Sequence, residues 1–240
     1  VAVVKAGVFT VLKVTIYIFG TDFIVQSGAN DWIIWFAGGT ILLASLIAMS
    51  QDNLKMRLAY STVSQLSYIV LGALLATNIS VLGGALHITM HAFAKITLFF
   101  AAGAILVAAH KTRISELGGL GRAMPITFGA FLIASLSIIG LPPFGGMWSK
   151  WYLGLGAVEA GQWLLLTVLM VSSLLNIAYL LPIPVRAFFG KSQDGTRYNQ
   201  IKEAPLSCLL AMGLTSLACL LLFFYPDPFY QLALNAAGGQ

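Results

Sequence analysis

An all-α integral membrane protein of about seven transmembrane helices is what this sequence predicts, and three observations predict it. Hydrophobic residues make up 59% of the 240 and charged residues only 9%, whereas a soluble domain carries about 25% charge. Mean hydropathy is +0.90. Apolar stretches of spanning length, about 17–25 residues each, recur along the whole chain. The short segments of alternating hydrophobicity that build a β-barrel do not occur.

The stretches lie near residues 2–20, 32–50, 58–77, 80–109, 126–155, 162–189 and 205–225, a single transmembrane domain over 1–240. Nine of the thirteen Lys and Arg fall in three connections: Lys55 and Arg57; Lys111, Arg113 and Arg122; Arg186, Lys191, Arg197 and Lys202. The alternate connections hold Asp22, Asp31 and Glu159, and the tail holds Asp227, with no Lys or Arg in either. The positive-inside rule puts the basic connections in the cytoplasm of a cell (inner) membrane protein, with the N-terminal end cytoplasmic and the C-terminus outside. The net charge of +5 and pI near 9.3 therefore call for no nucleic-acid partner; the lipid bilayer is the partner they imply.

The first helix carries Lys5 and Lys13. Lys13 is within reach of an interface for its ammonium; Lys5 reads either as a snorkelling terminal lysine or as a buried one. No initiator Met and no signal peptide precede it, so the chain is expected to be one piece of a split or longer gene product. Between the second and third helices, Gln51 to Arg57 forms a tight turn with Asp52 as N-cap. The third helix brings Ser61, Thr62, Ser64, Gln65 and Tyr68 into the membrane, where hydroxyls and amides pack against other helices or hold water.

The fourth helix, Ser80 to His110, carries the most informative pattern. His87, His91 and Lys95 recur at i, i+4, i+8, so one stripe of an apolar helix presents two imidazoles and an ammonium. A lysine near the bilayer centre costs roughly 2.5–3.5 kcal/mol on insertion scales. HxxxH can bind zinc, but no carboxylate or Cys stands at a suitable spacing and Lys95 would repel a cation, so no metal is expected. Hydrogen-bonded structural histidines are the plainer alternative. A proton relay fits better, because neutral imidazole both donates and accepts and titrates near pH 6.5.

The fifth helix must break at Gly140-Leu141-Pro142-Pro143-Phe144-Gly145-Gly146, where two prolines remove backbone donors. Broken helices survive in membranes where the freed groups are buried in protein or line a cavity, and transporters use them at ion sites. Lys150 follows the break, flanked by Trp148, Ser149 and Trp151, on the side that otherwise lacks positive charge. It reads as an interior-facing lysine rather than an interfacial one. The sixth helix kinks near Pro182 and Pro184, the seventh offers packing, and the tail is expected to lack an amphipathic extension. Cys208 and Cys219, on one helix, are too far apart in it to pair. No cofactor is expected, for the sequence holds no redox spacing.

With every acidic residue in loops or tails, the spans contain cations without an anionic partner. These motifs resemble the antiporter-like subunits shared by respiratory complex I, membrane-bound hydrogenases and Mrp-type multisubunit cation/proton antiporters, in the second half of that fold. Lys5-Ala6-Gly7-Val8-Phe9 is similar to the lysine-bearing helix that opens the half. Asp52 to Gln65 (DNLKMRLAYSTVSQ), His87-x3-His91-x3-Lys95 and Gly140 to Lys150 (GLPPFGGMWSK) resemble three further family stretches in the same order. The resemblance implies one of two inverted repeats, with a first-half repeat supplying the missing acidic residues.

Further implications are proton translocation along Lys5, His87, His91, Lys95 and Lys150, a supporting polar path of Lys55, Ser61, Ser64 and Gln65, other membrane subunits as partners, and Na⁺ or K⁺ as candidate exchanged ions. The short tail favours a D-type chain of the Mrp antiporters. A proton-pumping membrane-arm subunit of a complex I-like NADH dehydrogenase or hydrogenase is the alternative, in which this chain is at most the translocating part of a redox-driven enzyme. A non-conducting truncated fragment is the third.

Overall fold

The computed structural model describes residues 2–28, 30–191 and 201–237; Arg197 lies outside them. The described residues are helical, apart from turns and one isolated antiparallel bridge between Asn53 and Arg113. In chain order the α-helices are α1 (Ala2–Lys13), α2 (Thr21–Ser27), α3 (Asn30–Ser50), α4 (Leu54–Leu74), α5 (Asn78–Ala109), α6 (Pro125–Ile139), α7 (Gly146–Glu159), α8 (Trp163–Leu180), α9 (Pro182–Phe189), α10 (Leu206–Phe224) and α11 (Asp227–Ala236). A π-helical stretch, Val14–Phe19, extends α1.

Among the described residues, four helical segments are long and apolar enough to cross a membrane: Asn30–Ser50, Asn78–Ala109, Trp163–Phe189 and Leu206–Phe224. A fifth, bent by 82° between Val3–Phe19 and Thr21–Ser27, joins them if counted as one span. The protein is thus a multi-pass membrane protein, with four to five described segments of spanning length and apolarity against the seven expected, one of those discontinuous. The stretch near 126–155 is two helices of 15 and 14 residues, each short for a crossing. α4 has 21 residues, but its apolarity is diluted by the hydroxyls and amide that it buries against its neighbours.

The three basic connections gather at one end of the bundle and are stitched together there. Leu54 N donates to Thr112 O (2.9 Å) and Ile114 N to Asp52 O (2.8 Å). Arg57 donates to the carbonyls of Gln51 (2.8 Å), Tyr179 (3.1 Å) and Met49 (3.2 Å). Asn53, not Asp52, caps α4, accepting from Met56 N at 3.1 Å. Asp52 stands one residue too early and instead accepts from Ser115 N (3.0 Å) and Ser115 Oγ (2.7 Å). Burial pushes the Asp52 carboxyl up, but those two hydrogen bonds and the charges of Arg113 and Arg57 outweigh it and hold it below the usual carboxylate range.

α5 is the axis of the bundle. It opens with a reciprocal capping box between Thr77 and Ser80, which satisfies two of the otherwise orphaned N-terminal donors. α3, α4, α7 and α8 pack to one side of it through a cluster that includes Ile41, Leu71, Leu153 and Leu165. α6 and α10 pack elsewhere along it, around Phe128, Phe131 and Met212. The tail, expected to lack an amphipathic extension, forms α11. Ala233 on it and Ala237 just after it lie against Val81, Leu82 and Leu222 at the end opposite the basic connections.

The break between α6 and α7 follows from its residues. Pro142 and Pro143 cannot supply the N–H groups that the carbonyls of Ile138 and Ile139 would accept in a continued helix. Gly140 takes the left-handed conformation at φ +89°. A Cβ on Gly146 would stand 1.8 Å from the Ser137 carbonyl oxygen, so only glycine lets α7 begin there. The break is fixed to α10 by Gly145 N donating to Cys219 O (2.8 Å) and Trp148 Nε1 to Phe223 O (3.0 Å).

Candidate functional site

Because α5 is central, the stripe that it carries is enclosed: Lys95 is 0% exposed, His91 1% and His87 2%. Lys95 Nζ donates to Ser61 Oγ (2.8 Å) and Leu58 O (3.1 Å), both on α4. Ser61 also accepts from the Tyr179 hydroxyl (3.0 Å), which lies against the side-chain carbonyl of Asn176. Gln65 Nε2 donates to that same oxygen at 3.4 Å. A continuous string of polar groups therefore runs from the Lys95 ammonium through α4 to α8.

One turn from Lys95 the two histidines stack, with ring centroids 5.6 Å apart and planes at 20°. Tyr68 stacks on the other face of His87 at 5.5 Å and 14°. His87 Nδ1 is paired with Ser149 Oγ at 2.9 Å. Lys150 lies over the Tyr68 ring, its Nζ 5.3 Å from the centroid, and donates to Ile139 O (3.1 Å) and Ser173 Oγ (3.0 Å). The Tyr68 hydroxyl itself donates to Leu169 O (3.3 Å). Thus Tyr68 joins the histidine stack to Lys150 through its ring.

Lys5 is buried, at 9% exposure, so it is an inward lysine and not one extended to the surface. Six buried side-chain atoms among the described residues have no hydrogen-bond partner in the chain: Lys5 Nζ, Gln65 Oε1, His87 Nε2, both ring nitrogens of His91, and Asn176 Nδ2. Unpaired groups of this kind are costly unless water or another chain meets them. All six belong to the polar interior just described.

The structure brings Lys5, His87, His91, Lys95, Lys150, Ser61 and Gln65 into one interior region. Ser64 belongs to a side group, bonded to Ser45 (2.8 Å), which in turn pairs with Ser172 (3.2 Å). Lys55 is exposed on the first turn of α4, and Arg57 is the residue that touches the polar string, through the Tyr179 carbonyl. Sequence reasoning missed α8 altogether as a contributor. Its signal was present: Ser172, Asn176 and Tyr179 recur at i, i+4, i+7 in an otherwise apolar helix, one face by the same rule that picked out α5. Among the described residues no three His, Cys, Asp or Glu stand together as a metal site, and both cysteines are free.

The family described as NADH:quinone oxidoreductase/Mrp antiporter, transmembrane, matches residues 1–176. This chain belongs to that family. NADH-quinone oxidoreductase subunit N of Desulforudis audaxviator is 44% identical over 164 residues, covering 68% of this chain and 33% of that protein. The D subunit of the Na(+)/H(+) antiporter of Alkalihalophilus pseudofirmus is 28% identical over 233 residues, covering 97% of this chain and 46% of that one. Among solved structures, a chain of the Mrp complex from Dietzia sp. superposes with a TM-score of 0.79 at 25% identity, over 88% of this chain and 48% of its own length. The chain thus spans between a third and a half of these family members.

Proposed function

We propose that this chain is the proton-translocating membrane subunit of a multisubunit monovalent cation/proton antiporter, similar to the D-type chain of the Mrp antiporters. The observation that carries the reading is the pair of a buried Lys95 and a partly buried Lys150, each held by one carbonyl and one serine, with a stacked histidine pair and Tyr68 between them. Among the described residues neither ammonium meets a carboxylate, so each is free to exchange its proton with its neighbours rather than being locked in an ion pair.

Protons enter from the cytoplasmic face at the basic connections and reach Lys95 by way of Ser61, with Gln65 and Ser64 alongside. They pass His91 and His87 and leave on the opposite face near the α6–α7 break, under the control of Lys150. Coupling is electrostatic: a proton on one lysine disfavours a charge on the next, more strongly where no bulk water screens them. Lys5 faces a carboxylate supplied by a first-half repeat, which accounts for its unpaired ammonium. The unassigned nitrogens of the histidines let each ring accept on one side and donate on the other.

Proton flux in everted vesicles containing the native complex, read with a pH-sensitive dye, tests this. Flux triggered by Na⁺ or K⁺ is expected in the wild type and falls to background in Lys95→Ala, with assembly unchanged. Cation-triggered flux that survives Lys95→Ala would sink the reading. The likeness at 44% identity to a subunit of NADH-quinone oxidoreductase favours one second reading, a redox-driven pump in the membrane arm of a complex I-like enzyme. Flux that appears only with NADH, and not with either cation, would establish it.

A further inference from the structure

The end of the bundle opposite the basic connections holds a cavity of about 220 Å³ that the relay as described leaves unused. Its walls are Leu86 from α5, Trp148 and Tyr152 from α7, and Pro226, Asp227 and Tyr230 at α11. Two of these residues adjoin the same hydrogen-bonded pair of the relay. Leu86 precedes His87 and Trp148 precedes Ser149, and those two partners stand 2.9 Å apart. The cavity is thus lined by the chain neighbours of both members of that pair.

Polar groups mark the way from there to the surface. Tyr152 is three residues beyond Ser149, on the same side of α7. Its ring lies against that of Tyr230 on α11, with centroids 5.8 Å apart and planes at 44°. Asp227, one turn before Tyr230, is exposed. Its carboxylate sits on a docked element, because α11 packs on Val81 and Leu82 and is tied to the first helix by the Tyr17 hydroxyl donating to Asn235 O (3.3 Å). At about 30 Å³ per molecule in the liquid, the cavity has room for roughly seven waters. On the other side of the pair, His87 Nε2 is buried without a partner in the chain.

We infer that this cavity is the outward vestibule of the relay, and that Asp227 is the group that exchanges its protons with bulk water. A proton leaves the His87–Ser149 pair into water held between Trp148, Tyr152 and Tyr230, is taken by the Asp227 carboxylate, and is released outside. No bond other than those of the moving proton changes. The inference rests on the proton-translocating reading and assigns its exit, which the α6–α7 break alone leaves unplaced. It also gives α11 a role, since that helix closes the third wall of the vestibule.

The test combines accessibility with flux in the native complex. Leu86→Cys, in a chain whose Cys208 and Cys219 are replaced by Ser and Ala, meets a membrane-impermeant cationic methanethiosulfonate applied from each face in turn. Modification is expected only from the face bearing Asp227, with flux reduced at least fivefold as the adduct fills the cavity. Asp227→Asn, made with the native cysteines in place, is expected to lower flux about tenfold and Asp227→Glu to restore it. A thiol unreactive from both faces, or reactive from the basic face, overturns the vestibule. So does flux that survives both the adduct and Asp227→Asn while Lys95→Ala abolishes it. If Lys95→Ala also leaves flux whole, the translocating reading falls and the vestibule with it.

Discussion

Lys95 and Lys150 are held by the same pair of acceptors, one main-chain carbonyl and one serine hydroxyl, at closely similar distances. The carbonyls differ. Leu58 lies inside an unbroken helix, where its oxygen faces the N–H of Thr62 and also accepts the Thr62 hydroxyl at 2.8 Å. Ile139 is the last residue of α6, and the residue that would pair with it in a longer helix is Pro143. At the first site the ammonium is an addition to a backbone already satisfied. At the second it completes a backbone that the prolines left open. An identical shell can therefore hold a cation that the fold could do without and one that the fold uses.

That contrast can be broken in four ways, beginning with the break itself. Gly146→Ala forces a Cβ against the Ser137 carbonyl and is expected to destabilise by more than about 3 kcal/mol, read as lost assembly or a lower thermal midpoint in detergent. Retained assembly would mean that the α6–α7 junction yields more easily than its packing indicates. The paired lysine variants come next. Lys150→Ala leaves the Ile139 carbonyl without its donor and should cost about 2 kcal/mol of stability. Lys95→Met, which keeps the side-chain volume, removes a buried charge from a satisfied helix and should be neutral or stabilising, although it ends transport. Equal thermal shifts in the two would erase the distinction.

The serines sharpen the comparison on the transport side. Ser61→Ala cuts Lys95 from Tyr179 and is expected to slow flux about tenfold, roughly 1.4 kcal/mol. Ser173→Ala, at a partly buried ammonium that keeps its carbonyl, should slow it less, by about threefold. The smallest effect belongs to the basic end. Asp52 has its folded pKa below the unfolded one, so it stabilises above the unfolded value, near 3.9, and that contribution is lost as pH falls through the folded value. Asp52→Asn should therefore cost below about 1 kcal/mol at pH 7, given its exposure, and nothing at strongly acid pH. A difference between the two chains that stays constant with pH would count against the ionic tie to Ser115.

What was legible in the sequence follows one rule: strong periodicity or strong punctuation. His87, His91 and Lys95 were readable because three polar residues at i, i+4, i+8 stand out against an apolar helix. The break was readable because adjacent prolines forbid helical pairing whatever surrounds them. α8 carried an equally regular face, but Ser172, Asn176 and Tyr179 bear no charge, and hydroxyls and amides in a membrane helix serve packing as often as chemistry. α11 escaped because a ten-residue helix that begins with Asp-Pro is too short to declare itself without the neighbour that it covers.

The sequence by itself determined the membrane class, the site of the interruption and the alignment of the central stripe, because burial in lipid, missing N–H groups and helical pitch are local constraints. It also placed the basic residues in three alternate connections. Only the tertiary structure decided that Lys5 turns inward, that Tyr68 bridges the histidines to Lys150, that Arg57 rather than Lys55 meets the polar string, and that α11 walls a cavity with Leu86 and Trp148. Each of these is a contact between helices far apart in the chain, and such contacts depend on packing direction and depth, which no one-dimensional pattern encodes.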